Sequence, residues 1–438
     1  DLSGAVCGAA GAAVAAVGTL ASKASARGGP MHFGIVSTSY PRFATDPAGG
    51  FVHGLNRHLH RLGHRVSVVC AGDSDAAVFE RLDGIAVHRL PSSLFFRGGA
   101  PDALVQGLRR KPIGTLGLAM QFSVDLVRAV AQFLSVCDAL ISHWLVPCGL
   151  VAGLVSRGRP HVAIAHSSDV HLLRRLGLAN MGRWFAARAD LVYTAEHLVI
   201  DGAPGRVVPM GIDVAEFALR DGERQSIRHK LGLYRPTLLC LGRLVPVKGV
   251  SVLLSALRRL RHLDIELIVA GDGPLRSPLE AEAHAQGLPV RFVGEVLGRD
   301  KRQWLAAADL LVLPSLQLPD GRTEGAPVVI WEALASGLPV VASAVGGTTA
   351  QLGGCGLAVP PDDAQALAQA IETLLGDPML AARLRAHGPK QAAQADWARV
   401  ARRLLPRWLD VPAAAEVDSG PAVVLTNQHP NCYRERYK

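Results

Sequence analysis

Apolar runs of strand length alternate along most of this chain with segments whose apolar residues recur at helical spacing. HFGIVS (32–37) is strand-like, and after the loop TSYPRFATDPAGG a helical pattern follows. Phe51, Leu55, Leu59 and Leu62 form one stripe there, with His53, Arg57, His60, Arg61 and His64 on an offset, basic one. HRVSVVC (64–70) is a second strand, so the segment reads as a βαβ unit turning at Gly49-Gly50. DALIS (138–142), HVAIA (161–165) and DLVYTA (190–195) continue the series, each after a helical pattern. The composition of elements then repeats in PTLLCLG (236–242), IELIVAG (265–271), VRFVG (290–294), DLLVLPS (309–315) and LPVVAS (338–343). Between the first two, Leu253, Leu254, Leu257 and Leu260 mark a helix. Such alternation predicts an α/β protein of two doubly wound, mostly parallel sheets, and ligands of these sheets bind at the carboxyl ends of the strands. The expected division is an extension at 1–30, domains at 31–205 and 206–390, a late helix within 391–411 and a tail at 412–438.

Composition narrows the class. The 438 residues are 49% hydrophobic and 19% charged, which describes a globular chain of about two domains. Seven cysteines without a CxxC pair read as reduced, buried thiols in a cytoplasmic protein, with no zinc site. No charge-free apolar run reaches the length of a membrane span. In the Ala/Gly-rich first thirty residues Lys23 and Arg27 follow the apolar stretch, the reverse of a signal peptide, and Met31 stands directly before the first strand. The net charge of +9 implies an anionic partner, such as a nucleotide or an anionic membrane surface. Nucleic acid is not expected, because no basic patch is interleaved with aromatics. SLFFRGGAPDALVQGLRRKP (93–112), with Phe95, Phe96, Arg109, Arg110 and Lys111, reads either as a loop whose aromatics fold back onto the core or as a segment that meets a membrane or a lipid-linked acceptor.

Three stretches carry candidate chemistry. In EGAPVVIWEALASGLPVVASAVGG (324–347), Glu324 stands in a Gly-containing turn, Pro327 opens a helix bearing Glu332, and Gly337 ends it. Backbone N–H groups at such a helix start suit phosphate, and a carboxylate accepts hydrogen bonds from vicinal hydroxyls. The combination fits a ligand that is half phosphate and half sugar. LGRLVPVKGV (241–250) places Gly242 in a turn, with Arg243 able to fork onto phosphate oxygens and Lys248 acting as a point charge. SHWLVPCGLVAG (142–153) and AHSSDVHLL (165–173) put His166 at a strand end with Asp169 three residues on. Asp362 and Asp363 precede a helical pattern and read as caps.

Together these motifs resemble the retaining GT-B glycosyltransferases of the family 4 type. The resemblance spans residues 31 to 410 and departs from the usual motifs at Ser167, Met210, Val247 and Ala350. It implies transfer of a sugar from a nucleoside-diphosphate sugar to a glycan or lipid-linked acceptor hydroxyl, with no metal and no other cofactor. By position, Arg243 and Lys248 would hold the diphosphate, Glu324 the sugar hydroxyls and Glu332 the ribose diol. Gly242, Gly325, Ala326 and Pro327 would line that site, Gly49 and Gly50 would approach the diphosphate or acceptor, His166 would touch the reacting sugar and Asp169 would shape its loop. The helix DWARVARRLLPRWL (396–409) would cross back to the first domain. The basic stripe from His53 to His64 would face the inner side of a membrane, the plain alternative being a solvated face. The other readings are a GT-B protein that binds nucleotide sugar without turnover and a glycoside hydrolase using Glu324 and Glu332 as acid and nucleophile. A hydrolase has no use for the Arg243 and Lys248 pair.

Overall fold

The computed structural model describes residues 30–43, 46–72, 77–91, 110–156, 158–219 and 222–405. The first 29 residues, the Phe95-Phe96 loop and the tail lie outside the described residues.

The first sheet is built from β1 (His32–Ser37), β2 (Arg65–Gly72), β3 (Phe79–Leu82), β4 (Ile85–Pro91), β5 (Ala139–His143), β6 (His161–Ala165), β7 (Asp190–Tyr193) and β8 (Arg206–Val207). Their order is β3-β4-β2-β1-β5-β6-β7-β8, parallel except for the β3–β4 pair. The second sheet holds β9 (Thr237–Leu241), β10 (Glu266–Ala270), β11 (Val290–Gly294), β12 (Leu310–Leu313), β13 (Val340–Ser343) and β14 (Gly356–Val359), in the order β11-β10-β9-β12-β13-β14, all parallel. The apolar runs locate ten of these strands. The β3–β4 hairpin escapes that pattern; its Asp83-Gly84 turn, both residues at positive φ, is the local signal for it.

Alternate residues of β1 feed opposite layers. Phe33 and Ile35 pack under Val52, Leu55 and Leu59 of α1 (Gly50–Arg61), while Val36 packs under Phe122, Leu126 and Val130 of α2 (Pro112–Phe133). By length and composition α2 could cross a membrane, although Asp125 and Arg128 interrupt its apolar run. Its C-terminal half, however, is built into the core. The site below uses α3 (Ser167–Arg175), α4 (Gly298–Ala307) and α5 (Val328–Ala335). The last helix, α6 (Trp397–Leu404), returns to the first domain, where Trp397, Val400 and Leu404 join the core around α1.

That return changes the reading of the basic stripe. His53 is buried, bonded to Tyr40 Oη at 2.7 Å and to Asp83 at 2.9 Å, while His60 and Arg61 stay exposed. Arg57 donates to Glu216 at 2.9 Å and Arg61 to Asp213 at 2.9 Å. These cations tie α1 to the segment after β8 instead of forming a free basic face.

Candidate active site

In both sheets the chain reverses direction of winding at one point, between β1 and β5 in the first and between β9 and β12 in the second. Crevices form at such points because the loops leaving the two strands turn opposite ways. The second crevice collects the sequence motifs. Gly242 and Arg243 leave β9, and Glu324 lies on the loop after β12. Gly242 sits at φ 151°, with the Lys248 side chain packed over it, so a Cβ there would meet Lys248 Cε at 3.3 Å. Lys248 Nζ forms an ion pair with Glu324 Oε1 at 2.6 Å, and Ser315 Oγ lies 3.5 Å from the same oxygen. The Glu324 loop is fixed from below: Gly347 N donates to the Gly325 carbonyl at 2.7 Å, and a Cβ on Gly346, at φ +56°, would fall on the Glu324 carbonyl oxygen. Pro327 is the residue before the first turn of α5, not part of that turn, with φ −60°. Its carbonyl accepts from Gln351 Nε2 at 3.1 Å.

Glu332, buried on α5, pairs with Lys301 Nζ of α4 at 2.6 Å. Lys301 escapes sequence reading because nothing local in GRDKRQW distinguishes it from a solvated helix cation. A cleft of about 880 Å³ opens between the two sheets, and Gly49, Gly50, Asp169, Gly242, Arg243 and Glu332 all line it. Gly49, at φ 70°, must be glycine because a Cβ would strike the Ser39 carbonyl; Gly50 meets nothing within 4 Å and leaves its backbone open to the cleft. Lys248, Glu324, Gly325, Ala326, Pro327 and His166 are not among the residues that line the open volume. The Glu324 loop is instead clasped by the first domain. Ser167 Oγ donates to the Thr323 carbonyl at 3.2 Å, which gives the serine at this motif position a contact that glycine lacks. Met210, another departure, is buried in the core around α1.

Opposite, β6 ends at Ala165, and the next residue, His166, is the N-cap of α3. Asp169 accepts from His166 N at 2.9 Å and from Leu145 N at 2.5 Å, joining the loops after β5 and β6. Burial pushes its carboxyl up to about 7, against the pull of those N–H groups. His166 stands one layer behind the cleft wall, its ring centroid 5.1 Å from Phe51 and 4.8 Å from Trp144, both of which line the cleft. Its Nε2 shares a hydrogen bond with Nδ1 of the fully buried His143 at 3.2 Å. Burial lowers His166 to about 3 and His143 well below the usual histidine value, so both rings are neutral near pH 7. Among the described residues, no group of three or more His, Cys, Asp or Glu side chains is arranged to hold a metal ion. The five cysteines among the described residues are buried and free, and Asp363, though not Asp362, caps its helix by accepting from Gln365 N and Ala366 N.

Two parallel-sheet domains facing each other across this cleft define the GT-B class. Comparison with known proteins agrees: residues 235–377 match the family model described as Glycosyl transferases group 1, and residues 48–216 match Glycosyltransferase Family 4. A Bacillus subtilis glycosyltransferase named for teichuronic acid biosynthesis, TuaC, is 32% identical over 365 residues, covering 77% of this chain and 87% of its own. D-inositol 3-phosphate glycosyltransferase 1 of Catenulispora acidiphila is 30% identical over 406 residues, covering 82% and 91%. Among solved structures, Anabaena HepE in complex with UDP and glucose shares the fold, with a TM-score of 0.65 at 20% identity over 87% of this chain and 100% of HepE. The chain belongs to the group 1, family 4 glycosyltransferases.

Proposed function

We propose that this chain transfers a sugar from a nucleoside-diphosphate sugar to an acceptor hydroxyl with retention of anomeric configuration, without a divalent metal, in polysaccharide or glycolipid synthesis. The observation that carries the reading is the Lys248–Glu324 pair at the β9/β12 switch point, set beside the cleft that Arg243 and Glu332 line. When the bond from the sugar's anomeric carbon to the diphosphate breaks, its electron pair goes to the departing phosphate oxygen. Arg243 and Lys248 stabilise that charge, the task a metal performs elsewhere. The acceptor oxygen bonds to the same face of the carbon, and its proton passes to the leaving phosphate. Glu324, already held by Lys248, accepts from the sugar hydroxyls beside the backbone of Gly325 and Ala326. Glu332 uses the carboxylate oxygen not engaged by Lys301 to accept from the ribose diol. Gly49 and Gly50 offer backbone to the diphosphate or acceptor, and Asp169 holds the loop that carries His166 toward the sugar. The teichuronic acid biosynthesis role in the name of TuaC, and the UDP and glucose bound to HepE, support a nucleotide donor and a glycan acceptor.

The test is a thermal-shift and diphosphate-release screen of UDP-, GDP- and ADP-sugars with chelator present. One donor should raise the melting temperature and be slowly hydrolysed. Failure of every donor to stabilise the protein contradicts the assignment.

A further inference from the structure

The crossover helix α2 is longer than the sheet it covers. Its 22 residues span about 33 Å, while the strands beside it have 5 to 8 residues, roughly 17–27 Å. It connects β4 to β5, which run parallel within the sheet, so α2 runs antiparallel to them and its N-terminal half lies at their carboxyl ends. That is the edge on which the cleft opens. Of the residues that anchor the helix, Leu126, Ala129 and Val130 fall in its C-terminal half and Phe122 at its middle; before Phe122 only Thr115 is buried. In the N-terminal half Ile113 is 87% exposed, Met120 63%, Leu116 57% and Leu118 50%, a density of large apolar side chains in water that solvation alone does not favour.

Along the described chain, the charges that lead into this half of the helix have one sign. Arg110 and Lys111, both exposed, precede the helix, and no acidic residue occurs from there until Asp125. We propose that the N-terminal half of α2 docks on an anionic lipid bilayer, its apolar side chains entering the headgroup boundary and Arg110 and Lys111 engaging lipid phosphates. The helix lies at the interface and does not span it, because its C-terminal half is packed between the sheet and the helix Leu150–Val155. Charge argues against a second copy as the occupant, since pairing two such faces brings four cations together. Docking here turns the cleft edge of the first domain toward the bilayer. That a lipid-linked acceptor is thereby presented rests on the functional reading above; the docking itself does not.

The experiment is flotation of the full chain with vesicles of phosphatidylcholine, alone or with about one third phosphatidylglycerol, at low and high salt. The protein should float with the anionic vesicles at low salt and fall away as salt rises. Two variants locate the contact: Ile113→Ser, Leu116→Ser, Met120→Ser together, and Arg110→Glu with Lys111→Glu. Each should weaken vesicle binding by about tenfold or more with an unchanged melting temperature, since none of these side chains is in the core. Absence of flotation, or flotation that survives both variants, overturns the proposal. So does a melting temperature several degrees lower in the serine variant, which would show the face covered within the chain itself, or concentration-dependent dimerisation that this variant abolishes. Donor hydrolysis in vesicle-free solution should be the same in all three proteins, so failure to dock and failure to transfer are read separately.

Discussion

Lys248 Nζ lies 2.6 Å from Glu324 Oε1, joining the loop that leaves β9 to the loop that leaves β12 across the point where the second sheet reverses its winding. The pair places a cation for phosphate beside a carboxylate for sugar hydroxyls, and each holds the other in position before the donor arrives. It also disfavours the hydrolase reading, because both carboxylates are already engaged by lysines at 2.6 Å, Glu324 by Lys248 and Glu332 by Lys301.

Lys248 and Glu324 should therefore act as a unit. Lys248→Ala and Glu324→Ala should each lower kcat/KM by about 10²–10³, the usual cost of removing one group that stabilises developing charge. The double variant should lose little more than either single one. Steady-state kinetics showing multiplied losses would mean that the two act independently.

Glu332→Ala should raise the donor KM by roughly 10- to 100-fold, the worth of a hydrogen bond to a charged group, with kcat nearly unchanged. Lys301→Ala should raise it less, because Glu332 keeps its oxygens and loses only its orientation. Equal losses in kcat and kcat/KM for Glu332→Ala would move this residue from nucleotide binding to the transition state.

Two sets of buried groups give opposite pH dependence. His161 is held at about 4 and His166 at about 3 by burial, below the ordinary 6.5. Their folded values are depressed, so this stability is present above about pH 6.5 and is lost as pH falls toward the folded values. Asp169 is raised to about 7 from 3.8, so its contribution is full below about pH 3.8 and is lost as pH rises through 7. Melting temperature against pH should thus fall on the acid side, and Asp169→Asn, though less stable throughout for loss of an accepted N–H, should rise more steeply between pH 4 and 7. Parallel curves would show that Asp169 does not titrate in that window. Activity should show no inflection from His166 between pH 5 and 8.

Gly346→Ala should be costly where Gly50→Ala is not. At φ +56° the added Cβ falls on the Glu324 carbonyl, and the strain, about 1–3 kcal/mol, is released only by moving Glu324. A Cβ on Gly50 meets nothing within 4 Å. Chemical denaturation should separate the two variants, and Gly346→Ala should also lose stabilisation by donor.

Much of this was legible in the chain. The apolar runs mark ten strands because a parallel strand buried on both faces must be apolar throughout, and motif spacing brought Arg243, Lys248, Glu324 and Glu332 to one sheet end. What periodicity cannot show is which neighbour covers a helix face. The basic stripe of α1 reads as a membrane-facing or solvated surface until α6, more than 300 residues later, packs beside it and Asp213 and Glu216 meet Arg57 and Arg61. Lys301 and His143 matter through partners 31 and 23 residues away, and neither has a local signature. Ser167, a departure from the motif, acquires meaning only through its bond to Thr323.

The most direct test of the account is an NMR time course of the sugar released from the stabilising nucleotide sugar, with chelator present and early points taken before mutarotation. The intact chain should release sugar with the donor's anomeric configuration, and Lys248→Ala and Glu332→Ala should suppress it. Inverted sugar, a requirement for added divalent metal, or turnover that survives both substitutions would contradict a metal-independent, retaining transfer at this site.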